Sequence, residues 1–80
     1  MDLDLALKSR VKEVMNACKI SANELQRVYG ISHSTISSQV NGKSKISGAT
    51  LAALLDYNKS ISAEWLLRGE GEMFFNKQTP

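Results

Sequence analysis

The side chains able to do chemistry crowd into one stretch, ISHSTISSQVNGKSK, residues 31–45. It holds hydroxyls, two amides, one imidazole and two ammoniums, all groups that donate or accept hydrogen bonds. They do not form a catalytic set. His33 is the only histidine and Cys18 the only cysteine, they fall on separate elements, and no acid near His33 in sequence stands ready to orient it. A lone cysteine forms no internal disulfide, and nothing near Cys18 completes a metal site. No catalytic residue, metal ligand or cofactor is expected, and no enzyme activity.

Binding chemistry fits the stretch better. Ser and Asn are poor helix formers, so the run could be read as a loop. The apolar spacing of Ile31, Ile36 and Val40 instead marks a helix over Ile31–Asn41, capped by Ser32. At ~100° per residue, Ser34, Ser37, Ser38 and Asn41 share the opposite face, with His33 at its edge. A solvated helix face is usually rich in Lys and Glu, which favour both helix and solubility. This face has no acid and no long side chain, so another surface can approach it closely.

Charge distribution agrees. The chain carries a formal net charge of +2. From Leu25 to Leu55 there is no Asp or Glu, and Arg27, Lys43 and Lys45 are the only formal charges. The acids lie toward the ends, at Asp2, Asp4, Glu13 and Glu24 and at Asp56, Glu64, Glu70 and Glu72. An acid-free middle can attract a polyanion; three solvated cations in such a window could equally arise by chance.

The elements that must position this face announce themselves by their starts. ISANEL, ISHSTI, ISGATL and ISAEWL begin at Ile20, Ile31, Ile46 and Ile61. In each, Ser is suited to accept a hydrogen bond from a first-turn N–H. The preceding Ile can staple to an apolar residue five positions on: Leu25, Ile36, Leu51 and Leu66. Ser21 and Glu24 add the S-x-x-E pattern of a capping box. The spacings differ and the helix bodies do not match, so these are four helix starts rather than a tandem repeat. An earlier amphipathic helix, roughly Leu3 to Ala17, carries Leu7, Val11 and Val14 on one face, with Cys18 continuing that face at its end. Gly30, Gly42 and Gly69 suit left-handed helix ends, and Asn58 is expected to do the same for the fourth helix.

Eighty residues make one small domain. No apolar run approaches the ~20 residues of a membrane span. The start MDLDLALK has acids where an export signal has cations. A cytoplasmic protein is expected.

The segment ANELQRVYGISHSTISSQVNGK resembles the helix-turn-helix of the lambda-repressor/Cro-like family. Its matching features are Leu25, Gly30 at the turn, Ile31, Ile36, and Asn41-Gly42-Lys43 at the close. AEWLLRGEGEMF is similar to the segment after the last helix in phage-repressor-type members. The resemblance covers roughly Leu5 to Phe74. It implies an all-α, compact five-helix bundle with the third helix, residues 32–41, in the major groove of double-stranded DNA. It also implies first-turn contacts from Ser32, His33 and Ser34, mid-helix reading by Ser37 and Ser38, and phosphate contacts from Asn41, Lys43 and Lys45. The implied function is a sequence-specific transcriptional regulator, a repressor binding its operator as a homodimer; the alternative is an antitoxin-like protein-interaction module on the same fold. Two positions depart from the family pattern: Gln26 replaces a small Ala, and Gln39 a large apolar residue. Both fall near the junction of the second and third helices, so they are expected to bond each other, or one to turn out to a phosphate.

The domain is expected to span 1–75, with 76–80 as a tail. Trp65 is expected in the core. Met73, Phe74 and Phe75 could fold back on the bundle, seal a dimer or begin a linker. If they belong to a dimer surface together with Leu67, removing residues 73–80 should leave the bundle folded.

Overall fold

Four of the five helices begin on a serine whose hydroxyl accepts the N–H three residues ahead. A computed structural model describes residues 2–75. Among the described residues the helices are α1 (Leu3–Cys18), α2 (Ala22–Tyr29), α3 (His33–Val40), α4 (Gly48–Tyr57) and α5 (Ala63–Arg68). Ser21, Ser32, Ser47 and Ser62 cap α2 to α5, and Asp2 caps α1 through the Leu5 N–H at 3.1 Å. The all-α expectation holds.

The caps differ from expectation in three details. Ser21 accepts the Glu24 N–H, but the Glu24 carboxylate does not return to the Ser21 backbone: it pairs with Arg27 and accepts from the Tyr57 hydroxyl at 3.2 Å. A cation and a phenol offer it more than a helix-end N–H does. Asn58 is extended at φ −134° instead of left-handed, and its amide donates to Cys18 Sγ at 3.4 Å. The left-handed residue without a sequence signal is Lys19, at φ 57°, which closes α1 where a glycine would be usual.

The staple residues meet in one core. Val11, Val14, Ile20, Leu25, Ile36, Ala53, Leu54, Ile61 and Leu66 are buried together, with Ile31, Ile46, Leu51 and Trp65 half-buried against them. Arg10 ties α1 to α5, donating from Nε to the Leu66 carbonyl at 2.8 Å and from Nη2 to the Leu67 carbonyl at 3.0 Å. These are helix-end carbonyls that lack an intrahelical partner. Gly69 follows at φ +75°, and a Cβ there would lie 3.1 Å from Arg10 Nη1.

The segment after α5 folds back. Ser62 N–H donates to the Met73 carbonyl and Phe75 N–H to the Ser60 carbonyl, both at 2.8 Å, framing an antiparallel bridge between Ile61 and Phe74. Met73 packs on the core while Phe74 and Phe75 stay exposed. Of the three alternatives for Met73, Phe74 and Phe75, the fold-back onto the bundle is the one seen, with 73–75 supplying backbone bonds and core contact. The 76–80 tail lies outside the described residues.

Gln26 and Gln39 do not bond each other. Gln39 is buried, and its Oε1 accepts from the Thr50 hydroxyl at 2.7 Å and the Ser47 N–H at 3.2 Å. Its Nε2 donates to Ser47 Oγ at 3.3 Å. Gln39 thus fastens the end of α3 to the start of α4. Among the described residues no buried side-chain polar atom lacks a partner. Gln39→Leu should destabilise the domain by about 1–3 kcal/mol, because the groups it served lose a partner in the interior. Urea unfolding checks this, and a cycle with Thr50→Val should show coupling between the two sites.

Two tyrosines cross between α2 and α4. Tyr29 donates to Asp56 Oδ2 at 2.6 Å, and Tyr57 donates to Glu24. The bond to Asp56 pushes the Tyr29 phenol up to about 12, and the Tyr29 and Lys59 hydrogen bonds hold the Asp56 carboxyl below its ordinary range. A carboxyl depressed in the folded state stabilises above its unfolded value, and the gain is lost as pH falls through the folded value. The melting temperature of wild type should exceed that of Tyr29→Phe at neutral pH, and the gap should close below about pH 4. A gap independent of pH would show that the hydroxyl does not act through the carboxylate.

Candidate nucleic-acid interface

Helix α3 is short and built largely from weak helix formers, so its placement depends on neighbours. Ile36 is fully buried and anchors one side in the core. Ser32 Oγ accepts the Thr35 N–H at 3.1 Å and donates to the Thr35 hydroxyl at 2.9 Å. Gln26 reaches across the turn, its Oε1 accepting the His33 N–H at 2.6 Å. This satisfies a first-turn donor from another helix. The turn between α2 and α3 is closed by Gly30 at φ +74°, whose N–H returns to the Gln26 carbonyl at 2.9 Å.

The outward side of α3 carries the residues singled out by sequence. His33, Ser34 and Asn41 are exposed, and Ser37 and Ser38 are half-buried. Ser32 stands apart, since its hydroxyl is occupied by the cap and lies 3.3 Å from Ser34 Oγ. The Ser38 carbonyl accepts both the Lys43 N–H at 2.8 Å and the Ser44 N–H at 3.1 Å. That folds the following loop back on α3 and places Lys43 beside its end; Lys43 and Lys45 are exposed.

Residues far away in sequence hold this loop. Lys8 of α1 is buried, and its ammonium donates to Asp4 Oδ2 at 2.7 Å and to the Ser44 carbonyl at 2.8 Å. The hydrogen bond from Lys8, then the charges of Lys8 and Lys45 and the Ile46 N–H, hold the Asp4 carboxyl below its ordinary range. An acid from α1 therefore sits against a loop whose own sequence is acid-free. Lys8 and Asp4 have the i, i+4 spacing of a helical ion pair, the one sequence signal that could have marked them. Nothing local indicated that the pair would face residues 44–46.

The electrostatics leave α3 without an arginine. Arg10 is spent on α5 carbonyls, Arg27 pairs with Glu24, and Arg68 pairs with Glu64 and Glu70. What α3 presents is a neutral, hydrogen-bonding surface flanked by lysines. Such a surface can meet base edges through hydroxyls and an imidazole, and phosphates through an amide and ammoniums.

Among the described residues no group of His, Cys, Asp and Glu could hold a metal ion, and no helix is long and apolar enough to cross a membrane. No curated protein and no solved structure matches the chain. A helix-turn-helix family model matches residues 11–66, a span that begins at Val11 in α1 and ends at Leu66 in α5. With α2 and α3 joined through Gly30 inside that span, and the five-helix architecture around them, the chain belongs to the helix-turn-helix family, as a lambda-repressor-like DNA-binding domain.

Proposed function

We propose that the protein is a sequence-specific transcriptional regulator, a repressor, that inserts α3 into the major groove of a duplex operator. The observation that carries this reading is the acid-free outer side of α3, with Lys43 and Lys45 at its end. In this arrangement His33, Ser34, Ser37 and Ser38 meet base edges. Asn41, Lys43 and Lys45 meet phosphates. Ser32 contributes by capping the helix that enters the groove, and its hydroxyl makes at most a secondary contact.

Serine hydroxyls donate or accept with any base, whereas the strongly discriminating pairings are bidentate and need longer side chains. The arginines that could supply them are engaged elsewhere in the fold. Discrimination is therefore moderate and carried partly by water and by DNA shape. Repression follows from occupancy, since a bound domain excludes other proteins from the same site.

The operator is bound by a homodimer, whose half-sites lie about one helical turn, ~34 Å, apart. Leu67, Phe74 and Phe75 supply exposed apolar area for the contact; Met73 is turned to the core instead.

Fluorescence polarisation with random-sequence duplex, at low and moderate salt, tests the reading first. Binding that weakens steeply with salt supports it. Binding absent at low salt favours a protein-interaction module on the same fold. Lys43→Ala should weaken binding to all sequences alike and lower the salt slope by roughly one unit. A changed base preference with an intact slope would contradict the phosphate role. Ser38→Ala should cost under about 1 kcal/mol of affinity, and a loss of several would show that direct readout dominates.

A further inference from the structure

Asn41–Gly42 is the one Asn-Gly pair in the chain. Both residues are exposed, directly after α3 ends at Val40. Glycine has no Cβ to shield its nitrogen, so this pair is the one most open to attack of a backbone nitrogen on the preceding side-chain amide carbon. The other asparagines among the described residues, Asn16, Asn23 and Asn58, precede Ala, Glu and Lys.

The way the turn is held selects the same peptide. The Asn41 N–H donates to the Ser37 carbonyl at 2.9 Å, and the Lys43 and Ser44 N–H groups donate to the Ser38 carbonyl at 2.8 and 3.1 Å. Between these firm bonds, the Gly42 N–H reaches the Gln39 carbonyl only at 3.4 Å, near the limit of a hydrogen bond. Among the described residues no hydrogen bond reaches the Asn41 carbonyl or holds its side-chain amide. The Asn41–Gly42 peptide is thus the loosely held plane of the turn. Asn41 sits at φ −90° and ψ 5°, which turns the Gly42 nitrogen away from the Asn41 side chain. A flip of the peptide plane brings it round and costs only the 3.4 Å bond. Gly42, at φ +87°, can absorb the flip, because glycine accepts either sign of φ.

We propose that Asn41–Gly42 is a self-modification site that turns DNA binding down as the protein ages. The Gly42 nitrogen loses its proton to water or hydroxide and bonds to Asn41 Cγ, and the side-chain nitrogen leaves as ammonia. Water then opens the cyclic imide at either carbonyl. One product is aspartate. The other is isoaspartate, in which the main chain runs through the former side chain and is longer by one atom. Water is the only co-reactant. Either product replaces a neutral donor with a carboxylate at the end of α3. The inference rests on the DNA-binding reading, in which Asn41 meets a phosphate; a carboxylate there repels it. The lengthened chain of isoaspartate also shifts the loop of Lys43 and Lys45.

The test ages the full chain at mildly alkaline pH, where the attacking nitrogen is deprotonated more often. Peptide mass spectrometry and affinity for random-sequence duplex follow the change, and equal melting temperatures before and after verify the fold. The peptide spanning Asn41 should gain the mass of an amide-to-acid exchange, with isoaspartate present, ahead of those spanning Asn16, Asn23 and Asn58. Affinity should fall in step with conversion, by roughly tenfold when complete, because a hydrogen bond to a charged group is lost. The deficit should narrow as salt rises and screens the repulsion. Asn41→Gln, which needs a larger ring to close, should keep through the same incubation whatever affinity it begins with. Asn41→Asp should show the loss without ageing. An unconverted Asn41 after an incubation that converts the isolated peptide, conversion that leaves affinity unchanged, or an equal decline in Asn41→Gln overturns the proposal. If freshly made wild type does not bind duplex, the DNA-binding reading fails, an outcome distinct from failure of the ageing switch alone.

Discussion

An eight-residue helix made of His, Ser, Thr, Gln and only two apolar residues has little stability of its own. The fold depends on supplying what α3 lacks. Ile36 buries one side. Ser32 and Gln26 hold its first turn, and Gln39 locks its last turn to the start of α4. With both ends and one side fixed by others, the outer side is released from helix propensity and can be composed for contact. That division of labour explains why poor helix formers occupy an element that must be rigid.

The same economy governs charge. Internal work consumes the arginines and two of the lysines, which cap α5 or pair with acids on the flanking helices. One of those lysines, Lys8, pins the loop that carries Lys43 and Lys45. A loop that is already ordered loses less conformational entropy on binding than a free one. The Lys8–Asp4 pair therefore sets the geometry of the loop that carries these cations.

Much of this was legible in the sequence because it is local. A serine before an apolar turn, a staple five residues on, and Gly30 and Gly69 at helix ends depend on near neighbours, and these features stand in the structure. The outer side of α3 followed from its period. What could not be read depends on which elements come together. Gln26 and Gln39 departed from the family pattern at one junction, yet they serve opposite ends of α3: Gln26 the His33 N–H, Gln39 the cap of α4. The Glu24 pattern promised a capping box, but two better partners lay within reach. Lys8 carried no signal of burial, because the turn after α3 that closes over it lies far away in sequence. Lys19 carried no signal, because a lysine rarely adopts a left-handed backbone.

The central claim is that the α3 side of the domain is the surface that meets DNA. Backbone amide chemical shifts, followed by NMR while random-sequence duplex is titrated into the protein, test it residue by residue. Shifts concentrated from His33 to Lys45, with α5 and residues 73–75 little affected at low protein concentration, are the predicted result. Shifts centred on Leu67, Phe74 and Phe75, or no shifts at saturating duplex, would contradict the account.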